Sequence, residues 1–125
     1  RPLSTLRGEG SFVWYSALMG DRTIFHKILA KELPAIVLYD DADVQVIKDI
    51  HPQAPLHLLF IPKRFAQSLA HLTPETQDLP GMLIQKARAF AVEKGIADYK
   101  LMFHVGKYSV VPYLHLHLLS EQTID

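Results

Sequence analysis

Tyr113-Leu114-His115-Leu116-His117-Leu118-Leu119 alternates ring side chains with leucines before closing on an apolar pair. A period of two belongs to a half-buried β-strand, so the stretch from Pro112 to Leu119 is expected to be extended, with His115 and His117 on one face. Burying two imidazoles without partners is costly. Three readings are open on the residues alone. The rings can be satisfied core histidines. They can share a metal with a third ligand from His57, His104 or Asp49. Or a neutral imidazole nitrogen can attack phosphorus or an acyl carbon while its neighbour serves the leaving group.

Working back from this stretch, Tyr99 to Val105 reads as the preceding strand. Leu83, Ile84, Ala87, Phe90 and Ala91 recur at helical spacing, with Gly95 suited to the left-handed residue that closes a helix. Thr73-Pro74-Glu75 resembles an earlier helix start, which Pro80-Gly81 should interrupt or restart. Leu56 to Ile61 is a strand closed by Pro62. Ile36 to Tyr39 and Val44 to Ile47 form a hairpin about the acidic turn Asp40 to Asp43. Asp21 is the expected cap of a short helix carrying Ile24, Phe25, Ile28 and Leu29, which Pro34 ends. The fold class expected is α+β, a mostly antiparallel sheet of about five strands with two helices on one face. Residues 1–20 form an irregular extension, 21–120 the domain and 121–125 a tail. Gly8-Glu9-Gly10 is a joint, and Phe12 to Met19 an apolar turn suited to an interface.

The chain has 125 residues, of which 49% are hydrophobic and 21% charged. That length makes one domain able to bury roughly two-thirds of its unfolded surface. Thirteen basic residues balance thirteen acidic ones, so nucleic acid is not an expected partner. Cysteine is absent, which excludes disulfides and thiolate metal sites. No apolar run approaches the length that spans a bilayer, so no membrane partner is expected. The expected location is cytoplasmic or nuclear, and the basic, polar opening Arg1 to Arg7 leaves an organellar address open.

Several blocks, in order, resemble the histidine triad superfamily of nucleotide hydrolases and transferases. They are Thr23-Ile24-Phe25-His26-Lys27-Ile28 with Glu32-Leu33-Pro34-Ala35, then Asp49-Ile50-His51-Pro52-Gln53-Ala54-Pro55-Leu56-His57 with Leu58 to Lys63, and finally Phe103-His104-Val105 through His117. The last block is most similar to the branch containing histidine triad nucleotide-binding protein 3, with aprataxin a more distant relative. The resemblance implies that His115 is the nucleophile that becomes nucleotidylated. It implies that His117 contacts the phosphate and assists the leaving group, and that His57 supports the site from a neighbouring strand. Asp49 would accept the ribose hydroxyls, with Ile28, Ile47 and Ile50 around the base. It further implies a purine nucleotide substrate, no cofactor or metal, and a homodimer in which two sheets join.

Two positions depart from that pattern. Tyr113 stands where the first triad histidine is expected, and a phenol does not become a cation near neutral pH. Val110 stands where a phosphate-binding serine is expected. Ser109 is one residue away, on the opposite face of a strand unless a bulge turns it inward, and Lys107 is an alternative phosphate contact. The expected function is a hydrolase of reduced activity that cleaves purine nucleoside phosphoramidates or acyl-nucleotides through a nucleotidyl-histidine. The alternative is a degenerate nucleotide-binding module with little or no catalysis.

Overall fold

The computed structural model describes residues 22–124. Asp21, the Gly8-Glu9-Gly10 joint and the Phe12 to Met19 segment lie outside the described residues. The chain divides into two compact units, residues 1–33 and 34–125.

In the first unit, helix α1 spans Ile24–Leu29. Its cap is Thr23 rather than Asp21. The Thr23 hydroxyl accepts from the amides of Phe25 and His26, and His26 Nδ1 accepts from the Thr23 amide at 2.9 Å. This reciprocal pairing satisfies orphan donors at both ends of the first turn, which a lone aspartate two residues earlier does not do. The helix also stops before Pro34. Ala30 caps it, and Lys31 turns the chain away with φ of 64°. Phe25 is buried, Ile28 is half-buried and Ile24 is exposed.

The second unit is a five-stranded antiparallel sheet with strand order β1-β2-β3-β5-β4. The strands are β1 (Val37–Asp40), β2 (Val44–Lys48), β3 (Leu56–Pro62), β4 (Lys100–Met102) and β5 (Leu116–Ser120). Alternation sorts the central strands into two faces. Val44, Val46, Leu56, Leu58, Phe60, Leu116 and Leu118 join the hydrophobic core. Gln45, Ile47, His57, Leu59, Ile61, His117 and Leu119 take the other face and are buried as well.

Helix α2 (Leu79–Lys94) packs on the core face against β3 and β5. It buries Leu79, Leu83, Ala87, Phe90 and Ala91, and the Phe90 ring meets Phe60 edge-on at 5.8 Å. Ile84 is 41% exposed and is not part of this face, contrary to the spacing argument. Pro80 neither interrupts nor restarts a helix. It lies in the first turn, where the missing amide hydrogen has no intrahelical partner to lose. Thr73 to Asp78 form turns. Gly95 closes the helix at φ of 71°, and Ile96 donates to Ala91 O at 2.8 Å.

The last two strands are shorter than their sequence pattern. Tyr113, Leu114 and His115 precede β5, because the final ladder pair is Phe60 with Leu116. Beyond it the chain bonds elsewhere: the Leu114 amide donates to Ala66 O at 2.7 Å, and the Tyr113 hydroxyl donates to Pro62 O at 2.6 Å. Residues Gly106–Tyr108 form a 3-10 turn, so strand alternation does not govern Ser109 and Val110. Among the described residues no helix is long and apolar enough to cross a membrane.

The β1–β2 turn is organised by Asp41. One carboxylate oxygen accepts from the amides of Asp43 and Val44, and the other accepts from Tyr39 Oη and Lys86 Nζ, each at 2.7 Å. Burial raises the carboxyl's proton affinity, but these donors outweigh it and hold Asp41 well below the usual carboxylate range. Lys86 belongs to α2, so the pair ties hairpin to helix. Asp41→Ala is expected to cost about 2 kcal/mol at neutral pH. A depressed folded-state pKa stabilises above the unfolded value and loses that contribution as pH falls. The gap between wild type and variant in urea denaturation should therefore be widest near neutrality and close in acid.

Candidate active site

Four histidines converge on the sheet face opposite α2. His117 in β5 pairs across the ladder with Leu59 of β3 and Met102 of β4. His57 lies two residues before Leu59, on the same face, and is therefore a diagonal neighbour of His117. His104 lies two residues after Met102, and His115 two before His117. Ring centroids are 5.1 Å apart for His57 and His117, 4.5 Å for His104 and His117, and 4.8 Å for His115 and His117. His117 is the hub.

Backbone groups set where the protons sit. The Gln53 amide donates to His57 Nδ1 at 3.0 Å, so the His57 proton is on Nε2. That N–H donates to His117 Nδ1 at 2.9 Å and also lies 3.3 Å from Asp49 Oδ2. His117 in turn carries its proton on Nε2, which is buried without a hydrogen-bond partner. His115 Nδ1 donates to the Tyr113 carbonyl at 2.6 Å, which places the ring's lone pair on Nε2. A lone pair and a partnerless N–H thus belong to adjacent rings.

His117, His115 and His57 resist protonation. Burial, then the imidazoles of His115, His104 and His57, push His117 down to about 3. Burial also lowers His115 against the pull of the Tyr113 carbonyl, and lowers His57 against the charge of Asp49.

Asp49, His57 and His117 are close enough to suggest a metal site. The tautomers argue otherwise. A cation on His57 Nε2 would displace its proton to Nδ1, where that proton would face the Gln53 amide N–H. The donor set does not fit a metal.

The remaining candidates are spread more widely. Asp49 is half-buried, and its Oδ1 accepts from the His51 amide at 2.8 Å. Ile47 is buried on the site face of β2, whereas Ile50 is 79% exposed. Ile28 belongs to the separate unit described above. Ser109 Oγ donates to Val111 O, and Lys107 Nζ lies over the Tyr108 ring at 5.4 Å, so both engage neighbours in their own loop. Tyr113 is buried edge-on against Phe65, with its hydroxyl on Pro62 O and its pKa pushed up to about 12 by burial. A groove of about 390 Å³ opens at the Ser120 end of β5, lined by Gln53, Ala54, Tyr99, Lys100 and Leu119 among others. It does not include His115. His104, expected from the sequence only as a metal ligand, joins the cluster. Its signal was there in the two-residue step from Met102, but that step points to the site only once β4 is registered against β5.

A family model described as "Scavenger mRNA decapping enzyme C-term binding" matches residues 22–124. "Protein HitA" of Neisseria gonorrhoeae is 44% identical over 99 residues, covering 78% of this chain and 92% of the relative. A structure titled "HIT family hydrolase from Clostridium thermocellum Cth-393" superposes with a TM-score of 0.72 at 34% identity, covering 78% of this chain and 89% of that one. The chain belongs to the histidine triad family. Within that family it is also similar to the purine nucleoside phosphoramidase of Escherichia coli K12, at 34% identity over 106 residues, 82% of this chain and 89% of the relative.

The buried rings of this histidine triad protein make its stability depend on pH. His117 has a depressed folded-state pKa, so its contribution is present above the unfolded value and lost as pH falls. Thermal melts of wild type should drop steeply from about pH 6.5 to about pH 3. His117→Gln should flatten that drop, and equal slopes would refute the assignment.

Proposed function

We propose that this chain is a nucleotide hydrolase that cleaves purine nucleoside phosphoramidates or acyl-nucleotides through a nucleotidyl-His115 intermediate. The observation that carries the reading is the 2.6 Å bond from His115 Nδ1 to the Tyr113 carbonyl. It directs the lone pair to Nε2, and the same carbonyl stabilises the positive charge that grows on the ring as Nε2 bonds to phosphorus. The leaving group departs as the bond to phosphorus breaks, and water then cleaves the N–P bond to release the nucleoside monophosphate. The buried Nε2–H of His117 is suited to a phosphate oxygen, a ligand that would supply its missing acceptor. His57 holds His117 in that tautomer.

In this reading Asp49 accepts the ribose hydroxyls, Ile47 and Ile50 serve the base, and Lys107 and Ser109 stand on the phosphate side. The similarity to a purine nucleoside phosphoramidase supports the substrate class. His115→Ala should lower turnover of an adenosine phosphoramidate by at least ~10³-fold while the variant still unfolds in one cooperative transition. Mass spectrometry of wild type under turnover should find the nucleotidyl group on His115. Wild-type rates in the alanine variant would sink the mechanism.

One observation favours the second reading, a binding module with little turnover. The Tyr113 hydroxyl is committed to Pro62 O and brings no proton to the phosphate. Tyr113→His separates the two. A large gain in rate marks a decayed enzyme, and an unchanged rate marks Tyr113 as a working support whose carbonyl, not its phenol, serves the site. We expect the unchanged rate, together with a stability loss of about 1 to 2 kcal/mol from the orphaned Pro62 carbonyl.

A further inference from the structure

Cleaving a bond between phosphorus and nitrogen requires a proton for the departing amine. Most protons near His115 are already held. The proton of His57 lies between His117 and Asp49, and that of His115 Nδ1 is on the Tyr113 carbonyl. His117 cannot accept a second proton at Nδ1 without breaking its bond from His57. The Tyr113 proton is on Pro62 O. The His117 Nε2–H lacks a partner but is given to the phosphate in the reading above, and His104 differs from all of these. It is half-buried, its ring centroid stands 4.5 Å from that of His117, and among the described residues neither of its ring nitrogens has a hydrogen-bond partner.

We infer that His104 is the acid–base residue of this site, reached through the β4–β5 register rather than through the triad sequence. This rests on the nucleotidyl-transfer reading above and adds a catalytic residue to it. In the first step, His115 Nε2 bonds to phosphorus as the P–N bond breaks. The electron pair of that bond takes a proton from the His104 imidazolium, and a neutral amine departs. In the second step, water attacks phosphorus and gives a proton to neutral His104. The N–P bond breaks, returning the lone pair to His115 and restoring the His104 imidazolium. Protons and electron pairs balance over the cycle.

The test compares two substrates. An adenosine 5′-phosphoramidate of an alkylamine needs the departing nitrogen to be protonated. The p-nitrophenyl ester of adenosine monophosphate expels a stable phenolate that needs no proton. In His104→Gln, the ratio of kcat/KM for the ester to kcat/KM for the amide should rise by ~10²-fold, the usual scale of a lost general acid. His104→Asn carries the same expectation, so poor folding of one variant does not remove the test. A merely structural role would lower both substrates together, and an unchanged ratio overturns the assignment of His104. Failure of wild type to form a nucleotidyl-His115 adduct from the ester overturns the nucleotidyl-transfer reading, and the role of His104 with it. Adduct formation from the ester with an unchanged ratio overturns His104 alone.

Discussion

The antiparallel register of β3 against β5 is the constraint on which the rest depends. Leu58 faces Leu118 and Phe60 faces Leu116, so the even positions of both strands meet α2 in the core. The odd positions are then committed to the other face, and His57 and His117 become diagonal neighbours there. A slip of β5 by one residue would send His117 into the core and Leu116 and Leu118 out of it. Packing of the leucines and placement of the histidines are the same event. β4 joins on the far side of β5 in a register that pairs Met102 with His117, which brings in His104.

Burial then dictates the electrostatics. Neutral imidazoles tolerate a low-dielectric site if each nitrogen finds a partner. The Gln53 amide starts a relay that fixes His57 and, through it, His117. The Tyr113 carbonyl does the same for His115. These bonds fix tautomers, and the lowered proton affinities keep the rings neutral. Neutrality suits a nucleophile but leaves the buried rings poor sources of a proton. The proposed acid, His104, stands outside those hydrogen bonds, with its ring 4.5 Å from that of His117.

Tyr113 is held by two contacts. Its ring packs on Phe65 and its hydroxyl meets the carbonyl of Pro62, just past the end of the β3–β5 ladder. The phenol anchors the residue whose carbonyl orients His115.

The five strands, the α2 face and the pairing of His115 with His117 could be read from alternation and spacing, because a period of two or 3.6 is local information. The ends of the elements could not. The cap at Thr23 depends on a reciprocal bond with His26, the helical start at Leu79 depends on Pro80 fitting a first turn, and β5 begins at Leu116 because β3 offers no partner beyond Phe60. Motif order alone was enough to indicate an α+β fold of the histidine triad kind with two imidazoles side by side. Tertiary structure decided which nitrogen of each ring bears the proton, that Tyr113 turns to Pro62, and that His104 joins the cluster. Those facts depend on backbone amides and carbonyls and on cross-strand register, which residue identity does not encode along the chain.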